Sequence, residues 1–232
     1  GYAAAASAGL RALAADNEYL VLTTNDTLIE PDMLKHLVEA AQADPQAGVV
    51  GPKILFESQR DQIWFGGGYF HPLWGHAYHA GLKEKDGPDV VSQALPCHFI
   101  SGCCFLTPSA VAQKLNYLRD ELAFVFEDTD YCARAREAGL KVLYVPAARM
   151  YHRISATLGS DSPLVSYYST SNGLAQVWRH RDGAWPLSAL CYTAFMLPRY
   201  ALGTVKRKGF AAWKNLWAMA LGELDFVLGN YG

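Results

Sequence analysis

The sequence predicts an α/β domain followed by an all-helical region. Apolar strand-like runs alternate with amphipathic helices over residues 1–160, as expected of a sheet flanked by helices. After Ser162-Pro163, only helical patterns follow. The 232 residues are 51% hydrophobic, which is enough for one substantial domain with a small appendage. We therefore divide the chain into a domain over residues 1–160 and a helical region over residues 161–232.

A candidate binding site follows the first strand-like run. Residues 18–24 are mostly apolar and end abruptly at Asn25-Asp26, before Pro31 opens a helix. Ligands of open α/β sheets bind beyond the carboxyl ends of the strands, where Asp26 is placed. A hard divalent cation prefers oxygen ligands and takes only one or two carboxylates from the protein when phosphates and water complete its shell. One Asp with one His is therefore a sparse but workable Mn²⁺ or Mg²⁺ site.

The middle of the chain continues the α/β alternation before a long excursion. The Gly- and His-rich residues 66–90 predict a surface excursion near the site. Trp64, Trp74 and Tyr78 either stack on a sugar face or cover the core, and the sequence does not separate these interpretations. The preceding pattern predicts a helix and two strands, in the order 31–43, 48–56 and 62–65.

A second acidic cluster begins a predicted helix over residues 127–138. Glu127 and Asp128 fall in its first turn, where backbone N–H groups and the positive end of the helix dipole favour carboxylates. One interpretation is a place for acid–base chemistry. The alternative is a helix stabilised by its charges, with Asp130 and Arg134 as an i,i+4 pair.

A strand and a histidine follow this helix. Residues 141–145 have the pattern of a buried strand that Pro146 ends, and residues 149–152 form a short extension. His152 is then either a site residue or a satisfied polar group at a strand end.

Six segments occur in an order that points to a known family. They are GYAA at 1–4 with GLR at 9–11, LTTNDT at 22–27, VVGPKI at 49–54, SGCCFL at 101–106, FEDTDYCARAREAGLKVLYVPAARMYH at 126–152, and SYYSTSNGL at 166–174. Over roughly residues 1–175, the chain resembles the inverting family 2 glycosyltransferases with the GT-A fold, and most closely their rhamnosyltransferase-like branch. This resemblance implies a Rossmann-like mixed sheet flanked by helices, with a C-terminal helical appendage.

The resemblance also implies roles for the acidic sites. The chain would transfer a sugar such as rhamnose, with inversion, from a nucleotide-diphosphate donor to a glycan or lipid-linked acceptor. Asp26 and His152 would hold the cation on the donor's diphosphate. Asp128 would be the general base, supported by Glu127. Further contacts with donor or acceptor are expected from Thr24, Asn25, Trp64, Trp74, Ser101, Gly102 and Asp130.

Several positions depart from the family pattern. Thr24 stands where the family usually has Asn or Asp, Ala6-Ser7 replace an Asn pair, and Ser171-Asn172 replace Arg-Asn. The chain also opens inside a segment that the family places after its first strands. We therefore expect a GT-A domain that is incomplete on its N-terminal side, and an isolated chain with little or no catalytic activity.

Net charge and cysteine content limit the kinds of binding partner and the cellular compartment that we expect. The formal net charge of −2 gives no electrostatic basis for binding nucleic acid. The five cysteines form no CxxC pair, which argues against a zinc knuckle. An odd number of cysteines suits a reducing environment, so we expect a cytoplasmic protein.

The C-terminal region has the character of a membrane-surface helix pair. Residues 186–205 are mostly apolar, but Pro198 and Arg199 argue against a spanning helix. A basic triplet at 206–208 follows, and residues 210–228 place apolar and aromatic side chains on one stripe. These features suit a peripheral contact with the inner face of the cell membrane. The alternative is a hairpin that packs on its own domain or on a partner subunit in a homodimer.

Two other function classes remain open. A nucleotide-sugar binding module without turnover would keep Asp26 and His152 but would not depend on Asp128. A nucleotidyltransferase-like enzyme would also hold metal-bound phosphates on an α/β sheet. Such an enzyme should show Lys or Arg beside Asp26, and residues 23–28 contain neither.

Overall fold

A computed structural model describes residues 1–71, 74, 76–87, 93–153, 162–180 and 185–230. Over these residues a mixed sheet is flanked by helices, which confirms the predicted α/β class. Its helices are α1 (Tyr2–Leu13), α2 (Met33–Ala43), α3 (Ser109–Lys114) and α4 (Glu127–Glu137). Its strands are β1 (Tyr19–Thr23), β2 (Thr27–Ile29), β3 (Ala47–Phe56), β4 (Ile63–Phe65), β5 (Gly68–Phe70), β6 (Ala77–His79), β7 (Leu95–Pro96), β8 (Cys104–Pro108) and β9 (Lys141–His152).

The described C-terminal residues are helical, as predicted. They form α5 (Pro163–Arg179), α6 (Trp185–Cys191), α7 (Leu197–Lys208) and α8 (Trp213–Leu228), with a π-helical turn at Tyr192–Met196 and a 3₁₀ turn at Gly209–Ala212. Among the described helices, none combines the length and apolarity needed to cross a bilayer.

The main sheet has the strand order β1-β8-β3-β9-β2, with β4 beside β3 and β7 beside β9. β3 and β9 run parallel, and the other pairs are antiparallel. β3 is buried from Ala47 to Leu55, as expected of a central strand covered on both faces. The predicted excursion over 66–90 contains the β5–β6 hairpin, and residues 72, 73, 75 and 88–90 of it lie outside the described residues.

β9 is longer than the sequence predicted, because Pro146 does not end it. The pairing register with β3 shifts between Val145 and Arg149, so residues 146–148 bulge out of the ladder. A bulge accommodates Pro146, which has no N–H to donate. The strand then resumes and delivers His152 to the end of the sheet.

The C-terminal helices surround a second apolar cluster and contact the first domain. The buried members of the cluster are Leu174, Val177, Tyr192, Met196, Leu197 and Met219. α5 packs along α8, and a Cβ placed on Gly222 would lie 2.7 Å from the Tyr167 carbonyl oxygen. Only glycine therefore permits this close approach of the two helices.

His180 links the end of α5 to α4 through hydrogen bonds. Its Nε2 lies 3.0 Å from Asp130 Oδ1, and its Nδ1 lies 2.6 Å from Glu137 Oε1. Asp130 also accepts a 2.7 Å hydrogen bond from Arg134 Nε, and Arg119 Nε lies 3.2 Å from the same carboxylate. Although burial opposes the charge on His180, its hydrogen bonds to the two carboxylates raise its pKa.

We expect His180→Gln to remove a pH-dependent part of the stability. Because the folded pKa of His180 is raised above its ordinary 6.5, its contribution is complete below that value and is lost as the pH rises through the folded pKa. The variant should be less stable than the unsubstituted protein by about 1–3 kcal/mol near pH 5.5, and by much less near pH 9. Urea unfolding at both pH values measures the difference, and an equal difference at the two would contradict this assignment.

Candidate active site

The two residues predicted to share a cation are neighbours. Asp26 directly precedes β2 and His152 ends β9, and these strands pair with Thr27 opposite His152. His152 Nε2 lies 3.3 Å from Asp26 Oδ2 as a result. The side chains are therefore close enough to contribute to the coordination of one ion, as expected from the sequence.

The polar atoms at this contact fit a divalent cation. Among the described residues, Asp26 Oδ1 and Thr24 Oγ1 are buried without a hydrogen bond of standard geometry. Burial opposes ionisation of Asp26, but the nearby Thr24 hydroxyl and the His152 ring lower its pKa. An ionised carboxylate with an available oxygen beside an imidazole suits Mn²⁺ or Mg²⁺. No group of three or more His, Cys, Asp or Glu side chains suited to a metal occurs in the described part of the chain.

Glu127 and Asp128 open α4, as the sequence predicted. Asp128 Oδ2 accepts a hydrogen bond from Gly102 N–H, and Oδ1 accepts one from Thr129 N–H, both at 2.6 Å. Burial raises the pKa of Asp128, and these two donors oppose the increase. Burial and the charge of Asp128 raise the pKa of Glu127 to about 8. Burial thus disfavours a second negative charge in the pair, and the N–H groups favour the charge on Asp128 over the charge on Glu127.

A turn with strained backbone angles directly precedes this carboxylate pair. Val125 and Phe126 have φ angles of 66° and 73°, in the left-handed region that a β-branched residue rarely adopts. Asn172 Nδ2 on α5 donates to the carbonyl oxygens of Phe124 and Val125, at 3.0 and 2.9 Å. These bonds hold the turn, so α5 helps to position the carboxylates that begin α4.

Two residues that the sequence did not single out connect the acidic sites. The Tyr2 hydroxyl donates to the Gly102 carbonyl at 3.1 Å, and Cys103 Sγ lies 3.6 Å from His152 Nδ1. Burial is the main cause that raises the pKa of both groups, and the charges of Asp128 and Asp26 add to the effect. Gly102 N–H contacts Asp128, and the next residue, Cys103, contacts His152, so the two acidic sites adjoin each other; we call this region the cleft.

Several predicted contacts border this cleft. Trp64 packs edge-on against His152, with ring centroids 4.7 Å apart. Asn25 is exposed beside Asp26, whereas Ser101 is buried and its Oγ accepts a hydrogen bond from the Cys103 N–H.

Gly102 leaves room for the carboxylates. A Cβ at this position would lie 3.2 Å from Glu127 Oε1 and 3.4 Å from the Asp128 side chain. These separations are tighter than most side-chain contacts, so the absence of a side chain keeps Gly102 N–H close to Asp128.

Two predicted contacts lie elsewhere. Trp74 packs edge-on against Phe195, with ring centroids 5.7 Å apart, and joins the apolar cluster of the C-terminal helices. Asp130 is fully buried and bound to Arg134 and His180, which agrees with the predicted i,i+4 pair. This arrangement leaves its carboxylate no surface for a donor or acceptor, so we correct its expected role to a structural one.

The mixed sheet, the Asp26–His152 contact at its edge and the carboxylate pair at the start of α4 can be compared with known proteins. The profile described as glycosyltransferase like family 2 matches residues 2–170, so the chain belongs to this family.

Two relatives give the extent of the likeness. An uncharacterized protein, y4gI, from Sinorhizobium fredii is 31% identical over 208 residues, which are 81% of this chain and 22% of that protein. The N-acetylglucosaminyl-diphospho-decaprenol L-rhamnosyltransferase of Mycobacterium tuberculosis is 24% identical over 155 residues, which are 62% of this chain and 50% of that enzyme. The chain thus spans half or less of the length of these relatives.

Solved structures confirm the GT-A fold. GalNAc-T7 with UDP, GalNAc and Mn²⁺ superposes with a TM-score of 0.54 and 14% identity, covering 89% of this chain and 45% of that one. The mannosyltransferase PcManGT of Pyrobaculum calidifontis, with GDP-Man and Mn²⁺, gives a TM-score of 0.52 and 17% identity, covering 99% and 66%.

Proposed function

We propose that this chain carries the donor-diphosphate and acceptor side of an inverting glycosyltransferase. The observation that carries the proposal is the shared cleft. Gly102 N–H donates to Asp128, and the neighbouring Cys103 contacts His152, whose ring lies 3.3 Å from Asp26. A donor held at the first site would thus lie near a base at the second.

Asp128 is the proposed general base. An acceptor hydroxyl must lose its proton as it attacks the anomeric carbon, and an ionised carboxylate within hydrogen-bond reach can accept it. Attack on the face opposite the leaving diphosphate inverts the anomeric centre. The raised pKa of Glu127 disfavours a second negative charge beside Asp128.

Asp26 and His152 are the residues that would hold the cation. A bound Mn²⁺ or Mg²⁺ supplies positive charge that stabilises the departing diphosphate. Trp64, which packs on the His152 ring, limits the movement of that ligand. Thr24 lies beside Asp26 and would contact the ion through water.

The substrates are a further part of the proposal. Similarity to a decaprenol-linked rhamnosyltransferase supports a deoxysugar donor such as rhamnose and a lipid-linked or glycan acceptor. Exposed apolar residues on α7 and α8 support a peripheral site on the cytoplasmic face of the membrane. A homodimer that buries the same face is the competing arrangement.

Calorimetry with UDP, GDP and dTDP, each with and without Mn²⁺, tests donor binding. We expect at least one of these nucleotides to bind with strong dependence on Mn²⁺. In a version of the protein that transfers sugar, incubation with the matching sugar donor and a lipid-diphosphate acceptor, followed by NMR of the product, should show an inverted anomeric centre. Retention of configuration, or nucleotide binding that is independent of the metal, would contradict the proposal. If every version of the protein binds the donor tightly without transfer, the binding-module alternative is favoured.

A further inference from the structure

A mostly apolar cavity of about 920 Å³ lies among the C-terminal helices. Its walls come from α5, the π-helical turn, α7 and α8, and Val125 and Phe126 contribute to its lining. Because Phe126 directly precedes Glu127, the cavity extends to the start of the carboxylate helix. An acceptor lying in it would approach Asp128 from the side of the C-terminal helices.

Cations line this apolar cavity. Arg199, Lys206 and Arg207 contribute to its lining, and no Asp or Glu does so among the described residues. On α7, Arg199, Gly203 and Lys206 follow at i, i+4 and i+7, so they share one face. Gly203 lies between the two cations on this face, and a Cβ placed on it would lie 3.4 Å from Arg207 Nη1. The cavity therefore suits a ligand that joins an anionic group to a long apolar body.

The exposed surface of α7, the 3₁₀ turn and α8 is also suited to a lipid. Leu202, Phe210, Trp213 and Trp217 are each more than half exposed, and Phe210 is 94% exposed. Apolar and aromatic side chains beside a basic cluster are typical of elements that lie at a membrane interface. A π-helical turn, which often occurs at functional sites, forms part of the cavity wall.

We propose that this cavity binds the polyprenyl-type diphosphate of a lipid-linked acceptor. The apolar chain occupies the cavity, and the diphosphate lies against Arg199 and Lys206. The attached sugar is then directed toward Asp128. This inference rests on the proposed glycosyl transfer, and it specifies the acceptor of that reaction as an anionic lipid.

Farnesyl diphosphate is a soluble probe of both features. Calorimetry should show that it binds the unsubstituted chain more tightly than farnesol or inorganic diphosphate, since each lacks one half of the recognised structure. In the double variant Arg199→Gln/Lys206→Gln, we expect its affinity to fall by about tenfold or more, equivalent to about 1.4 kcal/mol per factor of ten. The matched control is Lys214→Gln, which removes an exposed charge of α8 outside the cavity lining and should leave the affinity unchanged.

Three results would overturn the proposal. The first is failure of farnesyl diphosphate to bind. The second is equal affinity of the double variant and the unsubstituted chain for farnesyl diphosphate. The third is equal affinity of the unsubstituted chain for farnesyl diphosphate and inorganic diphosphate. Flotation with phosphatidylglycerol vesicles distinguishes a general contact with anionic membranes from the binding of a lipid diphosphate in the cavity. If only vesicle binding depends on Arg199 and Lys206, the surface recognises anionic membranes and the lipid-acceptor assignment is wrong.

Nucleotide binding provides a measurement that is independent of ligand binding in the cavity. The double variant should keep the Mn²⁺-dependent nucleotide binding of the unsubstituted chain, because neither cation lies at the Asp26–His152 contact. If nucleotide binding is absent from the unsubstituted chain but farnesyl diphosphate still depends on Arg199 and Lys206, the cavity assignment stands and the transfer function fails. Loss of nucleotide binding in the double variant alone would indicate that these cations serve the donor, which overturns the assignment.

Discussion

In a version of the protein that transfers sugar, replacing Asp128 with Asn should lower the rate of transfer by roughly 10²- to 10⁴-fold, the range expected when a general base is removed. The amide has the shape of the carboxylate but cannot accept the proton of the acceptor hydroxyl. Donor affinity should change little, because the cation-binding pair lies on β9 and before β2 rather than on α4. Initial rates at saturating donor and acceptor, with donor affinity from calorimetry, measure the two effects separately.

Asp16→Asn is a suitable control for this experiment. Asp16 is an exposed carboxylate after α1, and its substitution makes the same chemical change outside the cleft. It should leave the rate unaltered. A normal transfer rate in Asp128→Asn would defeat the proposed mechanism. Asp128 would then be a carboxylate that only stabilises the start of α4 through its bonds with Gly102 and Thr129.

Both acidic sites were predictable because each depends on local pattern. Asp26 follows an apolar strand-like run, and Glu127 and Asp128 open a helix with its own composition. The proximity of Asp26 and His152 was expected from the cation that the resemblance assigns to both, and the pairing of β2 with β9 brings it about. In each case, a short stretch of sequence determines where the side chain is placed.

The connection between the sites was not predictable, because it depends on tertiary packing. Tyr2 reaches Gly102 across 100 positions of sequence. Cys103 belongs to the segment SGCCFL, but only the fold places its sulfur beside His152. The left-handed turn at Val125 and Phe126 contains no Gly or Asn from which it could have been predicted. Hydrogen bonds from Asn172 on the distant helix α5 hold it in place.

Two sequence interpretations failed for a common physical reason. Pro146 was expected to end a strand. A bulge instead accommodates this residue, which has no backbone N–H to donate, and the strand continues. Asp130 was expected to contact a ligand, but His180 reaches it from α5 across 50 positions. Local propensity does not reveal a partner supplied by a distant element. The boundary at residue 160 stays a prediction, although Asn172 acts on the turn before α4.

Replacing Asp26 with Asn should weaken Mn²⁺-dependent nucleotide binding by roughly 10- to 100-fold. The substitution keeps the size of the side chain but removes the negative charge, and a hydrogen bond or contact to a charged group contributes about 1.5–3 kcal/mol. Because the pKa of Asp26 is lowered, the carboxylate remains ionised throughout the neutral range. A change in affinity therefore reports the lost ligand rather than a shift in protonation.

Titrating the nucleotide that binds best, at several Mn²⁺ concentrations, distinguishes Asp26 from Asp128. In Asp26→Asn, more Mn²⁺ should be needed to reach the same nucleotide affinity, and the affinity measured without Mn²⁺ should match that of the unsubstituted chain. Asp128→Asn should retain the normal dependence on Mn²⁺. His152→Ala should show the same direction of change as Asp26→Asn, because the two side chains are 3.3 Å apart and would hold the same ion. An unchanged Mn²⁺ dependence in both Asp26→Asn and His152→Ala would place the cation elsewhere and leave their contact as an ordinary ion pair at the sheet edge.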